Sequence, residues 1–82
     1  MHVKPLRLDL LKYLTQHGLK KKFEKQIGLF SANPRHPSLH TEILEPKHLK
    51  IYSFRIDRKY RTIFILTRSN EAEIVDINDH YQ

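Results

Sequence analysis

Two arginines in the strand-rich half of the chain are the residues best placed to do chemistry. Arg55 and Arg61 lie in segments 51–56 and 60–67, which are rich in aromatic and β-branched residues. This pattern predicts the two antiparallel strands of a hairpin. A guanidinium group presents N–H donors that match phosphate oxygens, so two adjacent arginines would form a clamp for a phosphate group.

The register of the predicted hairpin decides whether these arginines are neighbours. A three-residue loop at 57–59 collects the aromatic side chains of both strands on one face. A two-residue loop at 58–59 would instead turn Arg61 toward that apolar face, where an unpaired guanidinium is costly to bury. The three-residue loop is therefore predicted, and it places Arg55 directly opposite Arg61 on the other face.

Like charges that face each other across two strands destabilise a sheet, so an anion should relieve this arginine pair. A carboxylate of the chain itself could do so, and Asp76 and Asp79 on the next predicted strand are candidates. A bound phosphate or an acidic partner protein could do so too. The residues alone leave these alternatives open.

His80 could add proton transfer, because histidine titrates near neutral pH. It follows a predicted strand at 73–78 that could bring it beside the arginines, although an ordinary position near the chain end is the simpler interpretation. Arginines, a histidine and tyrosines such as Tyr52, Tyr60 and Tyr81 suffice for RNA cleavage without a metal. The 2′-hydroxyl attacks phosphorus, a base accepts its proton, and an acid protonates the departing oxygen.

The sequence shows none of the motifs that other kinds of catalysis require. The chain has no cysteine, no Gly-rich phosphate loop and no nucleophile elbow, so no cofactor is predicted. Of the six histidines, His36 and His40 have helical spacing, but Pro37 lies between them in a predicted loop, and no metal site is expected. No stretch approaches the length of a membrane span, and no signal-peptide pattern is present, which favours the cytoplasm.

The charge is unevenly distributed over these 82 residues, which we expect to form a single domain, 1–82. The formal net charge is +6: residues 1–62 hold 14 basic and 5 acidic residues, and residues 63–82 hold one and four. A basic body favours a polyanion or an acidic protein as partner, although solubility alone would also explain it. The helix face with Lys20, Lys21, Lys22 and Lys25 is either simply solvated or a ridge facing phosphates.

Two amphipathic helices are predicted in the first half of the chain. Asp9 can cap the first helix, Gly18 fits a left-handed stop after it, and Pro34 disfavours helix beyond the second. The apolar stripes are Leu10, Leu11 and Leu14 in the first helix, and Leu19, Phe23, Ile27 and Phe30 in the second. Residues 1–7 could add an edge strand that ends at Pro5, and residues 34–49 form a long connection. Two helices before an antiparallel meander predict a small α+β domain.

Four stretches also resemble a known family: NPRHPSLH at 33–40, YSFRI at 52–56, KYRTIF at 59–64 and VDINDH at 75–80. Their order and spacing resemble the RelE/ParE toxin superfamily of bacterial toxin–antitoxin systems, from about Leu10 to the C-terminus. The resemblance implies a β-α-α-β-β-β fold of microbial-ribonuclease type, with two helices packed on a small antiparallel sheet. It also implies a cytoplasmic toxin neutralised by a cognate antitoxin, with which it could form a hetero-oligomer.

RelE-type members cleave mRNA on the ribosome, whereas ParE-type members inhibit DNA gyrase without cutting RNA. The first activity is our leading hypothesis; the second, or a non-toxic member that binds an acidic partner, is the alternative. The resemblance matches Arg55 to a basic residue of the cleavage site, Arg61 to the arginine at the scissile phosphate, and His80 to an Arg or His near the C-terminus. Tyr81 would be auxiliary. RNA contacts are expected from Lys20, Lys21, Lys22, Lys25, Ser53 and Lys59.

Overall fold

The computed structural model describes residues 1–80 and confirms the predicted α+β class. Two helices precede a four-stranded antiparallel sheet whose strands are adjacent in chain order. The helices are α1 (Leu8–Gln16) and α2 (Lys20–Ala32), and the strands are β1 (Glu42–Ile43), β2 (Tyr52–Arg55), β3 (Arg61–Leu66) and β4 (Ala72–Asn78). Within residues 1–80, no helix has the length and apolar character needed to cross a membrane.

The stop between the two helices is a hydrogen-bonded motif built on Gly18. Gly18 has φ +64°, as the predicted left-handed stop requires. Its amide donates to Thr15 O at 3.2 Å, and the amide of Leu19 donates to Leu14 O at 2.8 Å. This pair of bonds is a Schellman motif, and it satisfies carbonyls that the end of α1 would otherwise leave free. Leu14 and Leu19 are both buried beside it.

The start of α1 differs from the prediction, because Asp9 lies inside the first turn and does not cap the helix. The chain remains extended through Arg7, whose carbonyl accepts the first helical bonds from Leu10 and Leu11. The carboxylate of Asp9 accepts two bonds from the Arg7 guanidinium, each 3.0 Å long. That interaction engages the carboxylate that the prediction assigned to the backbone amides.

The core lies between α2 and the face of the sheet that carries the aromatic side chains. Phe30 of α2 stacks on Phe54 with 4.9 Å between ring centroids, and it meets the ring of Phe64 edge to face at 4.9 Å. Tyr52 stacks on Phe64 at 5.5 Å. The predicted apolar stripes supply most of the helical contribution to the core, although Leu11 stays outside it with 39% of its surface exposed. Aromatic pairs in these geometries add about 0.5–1.5 kcal/mol each beyond their buried area.

The predicted hairpin register is confirmed. Arg55 pairs with Arg61 and Phe54 with Thr62, so the loop comprises the three residues 57–59. The amide of Ile56 donates to Tyr60 O at 2.9 Å and closes it. Strand β4 continues the meander.

The two ends of the sheet differ from the prediction. Residues 1–7 form no strand; Val3 makes a single parallel bridge with Ala72, because Pro5 has no N–H to donate and the chain turns into α1 at Leu8. The segment 34–49 is not a plain connection, since it contains the short edge strand β1 and two turns of 3₁₀ helix.

Alanine substitution at the two glycines should change the free energy of unfolding in opposite directions. No atom lies within 4 Å of a Cβ added at either site, so the backbone alone decides the outcome. Gly18→Ala puts a side chain at positive φ and should lower the free energy of unfolding by about 1–2 kcal/mol. Gly28→Ala, inside α2, should raise it by up to about 1 kcal/mol. Urea unfolding of both variants checks this, and a loss of stability in both would contradict it.

Candidate phosphate-binding site

Three neighbouring strands place Arg55, Arg61 and Asn78 in one row on the face of the sheet opposite the aromatic core. Arg55 is paired with Arg61, and Arg61 is paired with Asn78 of β4. Side chains alternate along a strand, so this row points away from the aromatic core. The two guanidiniums are thus brought to the same end of the sheet, next to the loop 57–59.

Arg61 is almost fully buried, at 5% exposure, and neutral oxygens hold its guanidinium. Its Nε donates to the hydroxyl of Ser53 at 2.9 Å, and one terminal nitrogen donates to the carbonyl of His40. The same nitrogen lies 3.5 Å from the carbonyl of Ser53. Burial lowers the pKa of Arg61; Glu42 counteracts this in part and Arg55 adds to it, yet an arginine remains charged at neutral pH. The site therefore contains a positive charge that no hydrogen-bonded carboxylate of residues 1–80 neutralises.

Arg55 is half-buried, and its guanidinium has no hydrogen-bond or ion-pair partner among residues 1–80. Neither carboxylate proposed from the sequence pairs with it. Asp76 accepts a hydrogen bond from Asn78 Nδ2 at 2.6 Å, and Asp79 lies 3.9 Å from Lys59 Nζ. Within residues 1–80, no internal ion pair therefore relieves the opposed arginines, so a bound anion or an acidic partner stays a candidate for that role.

His80 follows the row by two residues, because Asn78 is the last residue of β4. Its backbone amide donates to Asn78 Oδ1 at 3.1 Å, and its imidazole Nε2 lies 4.0 Å from Asp79. The side chain is 79% exposed. The imidazole thus stands in solvent near the arginine end of the sheet. Tyr81, the predicted auxiliary residue, lies outside the described residues.

The predicted RNA-binding residues have three different environments. Lys22 and Lys59 form ion pairs, Lys22 with Asp57 at 3.2 Å and Lys59 with Asp79. The other lysines of the helix face are exposed, with no carboxylate paired to them in the described part of the chain: Lys20, Lys21 and Lys25. Ser53 is fully buried and serves as acceptor for Arg61. A side chain without exposed surface cannot touch RNA, so the expected contact at Ser53 is not supported.

The hairpin loop beside the site is organised by the carboxylate of Asp57. It accepts bonds from the amides of Lys59 at 2.9 Å and Tyr60 at 2.8 Å, and from Lys22 Nζ at 3.2 Å. Burial alone would raise the pKa of Asp57, but these amides and the lysine outweigh burial and hold it below the usual value. The ionised carboxylate thus supports the loop that joins Arg55 to Arg61.

Sequence reasoning missed two residues that position the site. Gln26 of α2 is buried, and its Nε2 donates to the carbonyl of Arg55 at 2.8 Å and to that of Ser38 at 3.2 Å. His40 adopts a left-handed conformation with φ 45°, and its carbonyl receives Arg61. One polar residue on the buried face of a predicted helix was the available signal for Gln26. Nothing in the sequence indicates the carbonyl of His40. In residues 1–80, no three His, Asp or Glu side chains gather where they could hold a metal ion.

Comparison with known proteins supports the fold. No protein-family model matches the sequence, and neither does any curated protein. Among solved structures, the chain is similar to a YoeB/ParE toxin from Agrobacterium tumefaciens, with a TM-score of 0.71 and 17% sequence identity. The match covers 99% of this chain and 100% of the other. The two proteins therefore share one fold over their whole length, as the resemblance to the RelE/ParE superfamily implied.

The hydrogen bond between Ser53 and Arg61 predicts a large effect of Ser53→Ala on stability. The variant leaves the buried Nε without this acceptor, which should cost about 1–3 kcal/mol of unfolding free energy. Thr62→Val is the matched control, since Thr62 is equally buried and its hydroxyl has no partner within residues 1–80. That variant should be neutral or stabilising in urea unfolding. Equal losses in both variants would show that packing, and not the hydrogen bond, is responsible.

The lowered pKa of Asp57 predicts how stability depends on pH. Between the folded-state pKa and the ordinary value near pH 4, the unfolded chain binds more protons, so stability falls as the pH falls. Asp57→Asn keeps a carbonyl acceptor but cannot ionise, and its stability should therefore decline less steeply below about pH 5. Glu24→Gln, at an exposed position of α2, is the control. Unfolding free energies measured from pH 7 to pH 2 check this, and identical slopes for Asp57→Asn and the unsubstituted chain would contradict it.

Proposed function

We propose that this chain is the toxin of a bacterial toxin–antitoxin pair and that it cleaves mRNA on the ribosome. The observation that carries the proposal is the pair Arg55–Arg61, two arginines directly opposite each other in register that no carboxylate of residues 1–80 neutralises in an ion pair. Such a pair suits the phosphate of a nucleic acid. The fold shared with a structure described as a YoeB/ParE toxin and the sequence resemblance to the superfamily support the same function.

The two arginines have different parts in this proposal. Arg55, half-buried and without a partner in the described chain, contacts the phosphate oxygens. Arg61 is mainly a positioning residue, because it is almost fully buried and its Nε and one terminal nitrogen already donate to Ser53 and His40. Its charge still acts on the phosphate through a partly desolvated environment, where electrostatic interactions are stronger than in water. This modifies the role implied by the resemblance, in which Arg61 contacts the scissile phosphate directly.

The reaction is the transesterification that RNA itself makes possible. The 2′-oxygen attacks the adjacent phosphorus and loses its proton to a base, while the bond from phosphorus to the 5′-oxygen breaks. The departing oxygen takes a proton from an acid, so a cyclic phosphate and a 5′-hydroxyl result. His80, exposed at the arginine end of the sheet, supplies one of the two proton transfers. Arg55 and Arg61 stabilise the charge that develops on the phosphate oxygens.

The remaining surface fits the same partners. The exposed lysines of α2, Lys20, Lys21 and Lys25, would contact the backbone of mRNA or ribosomal RNA, and the paired Lys22 and Lys59 would add to the positive potential. The antitoxin would be an acidic protein that neutralises the same site. The toxin would act in the cytoplasm, where ribosomes translate, and it would need no cofactor.

A cleavage assay on ribosomes programmed with a defined mRNA tests this function. Without Arg55 (Arg55→Ala), the cleavage rate should fall by about 10²–10³-fold, the typical effect of removing one stabilising donor. His80→Ala should lower the rate by about 10²–10⁴-fold, the range for general acid–base catalysis. Arg68→Ala, which removes an exposed arginine from the loop between β3 and β4, should leave the rate unchanged. Primer extension of the mRNA ends measures each rate.

Two further readouts make the test decisive. His80→Ala should still bind the antitoxin, since the exposed imidazole is expected to act in proton transfer and not in folding. Growth arrest with intact mRNA would contradict the proposal. DNA damage under that arrest would identify a gyrase inhibitor, and the absence of any growth effect would identify a non-toxic binding protein.

A further inference from the structure

The segment 34–41, between α2 and β1, borders two adjoining cavities that the proposed reaction does not use. One has a volume of about 300 Å³, and its lining includes Arg35, His36 and His40. The other has a volume of about 420 Å³, and its lining includes the rings of Phe30, Tyr52 and Phe64. Arg35 lines both cavities, as do Pro34 and Thr41, so the two volumes adjoin along this shared wall.

The smaller cavity is equipped for an anion. Three nitrogen-bearing side chains line it, and no carboxylate does. The Nδ1 of His36 accepts a hydrogen bond from the amide of Ser38 at 3.1 Å, so a neutral ring carries its proton on Nε2 and still offers a donor. Arg35 is exposed, with no carboxylate paired to its guanidinium in the described chain. At about 30 Å³ per water molecule, the cavity has room for a group the size of about ten waters.

The larger cavity is equipped for a flat apolar group. Tyr52 is half-buried and stacks on Phe64, and Met1 and Leu66 complete the apolar wall. Aromatic side chains of this kind accept an unpaired base, and each stacked base typically contributes about 1–3 kcal/mol of binding free energy. Phe30 and Phe64 are buried in the core, so the exposed part of Tyr52 is the aromatic surface next to the cationic cavity.

We propose that the two cavities together bind one nucleotide of the RNA strand, with the phosphate beside Arg35 and His36 and the base against Tyr52. This inference rests on the proposed function, which supplies the strand. His40 connects the two sites, because it lines the cationic cavity and its carbonyl holds Arg61. The arginine row and the aromatic wall lie on opposite faces of the sheet, so a strand engaged at the row would pass His40 and the edge strand β1 to reach the segment 34–41. The adjacent cationic and aromatic walls match a nucleotide more closely than an acidic peptide, which offers no planar base for the stacking surface.

A titration of the ¹⁵N-labelled full chain tests the inference without any need for cleavage. Adenosine 5′-monophosphate should shift the backbone amides of residues 35, 36 and 38–41, and it should bind more tightly than adenosine or inorganic phosphate alone. Arg35→Ala should weaken its binding about three- to ten-fold, as expected for loss of a charged hydrogen bond at an exposed site. Arg68→Ala, which removes a second exposed arginine, is the matched control and should bind as the unsubstituted chain does.

A second experiment distinguishes an RNA strand from a free nucleotide as the source of the bound phosphate. A 2′-O-methyl trinucleotide, which cannot be cleaved, should shift the segment 34–41 together with Arg55. Arg35→Ala should lower the slope of its logarithmic salt dependence by about 0.7, the value for one phosphate contact of a single strand. A mononucleotide that binds while the trinucleotide leaves 34–41 unshifted would overturn the assignment to a strand.

The remaining outcomes distinguish a failure of this inference from a failure of the proposed function. Equal nucleotide affinities for Arg35→Ala and Arg68→Ala would overturn the inference, even if ribosomal cleavage proceeds as proposed. An acidic peptide that shifts the segment 34–41 when the nucleotide does not would overturn it as well. Nucleotide binding at 34–41 by a chain that never cuts mRNA would uphold the nucleotide site and overturn the proposed function alone.

Discussion

The arrangement of the site depends on one buried guanidinium. Arg61 ties together three parts of the chain: its own strand β3, Ser53 of β2, and the carbonyl of His40 in the segment before β1. Each acceptor is neutral, so the bonds satisfy Nε and one terminal nitrogen of Arg61 without cancelling the charge. A carboxylate in the same place would have held the strands as firmly, but it would have removed the positive potential that makes the face suitable for phosphate.

The helix α2 also helps to position the site, from the opposite face of the sheet. Gln26 reaches from α2 to the carbonyls of Arg55 and Ser38, so one amide group holds both the end of β2 and the segment 34–41. The packing of α2 on the sheet and the position of Arg55 are therefore coupled. Disturbing that packing would move the site even though no residue of the site lies in the helix.

The sequence allowed the hairpin to be predicted because a wrong register had a large physical penalty, the burial of Arg61 against aromatic rings. The Gly18 stop was predictable for a similar reason, since few residues tolerate its φ. Strand β1 was not, because two residues carry no periodicity. The hydrogen bond from Arg61 to the carbonyl of His40 could not be predicted either, because every residue has a carbonyl and His40 lies 21 positions earlier in the chain. The family resemblance predicted a role for Arg61 at the phosphate but did not predict that its side chain is buried.

The contrast between the two arginines explains why an opposed pair of like charges can persist in so small a sheet. Neutral dipoles stabilise Arg61, and Arg55 keeps enough access to solvent to remain hydrated. The candidate carboxylate on β4, Asp76, is instead engaged by Asn78. Repulsion between the arginines is consequently lowered but not abolished. The residual repulsion would be relieved when a phosphate or an acidic partner arrives. Anion binding at this face should then stabilise the fold as well as occupy the site, because both effects arise from the same unpaired charge.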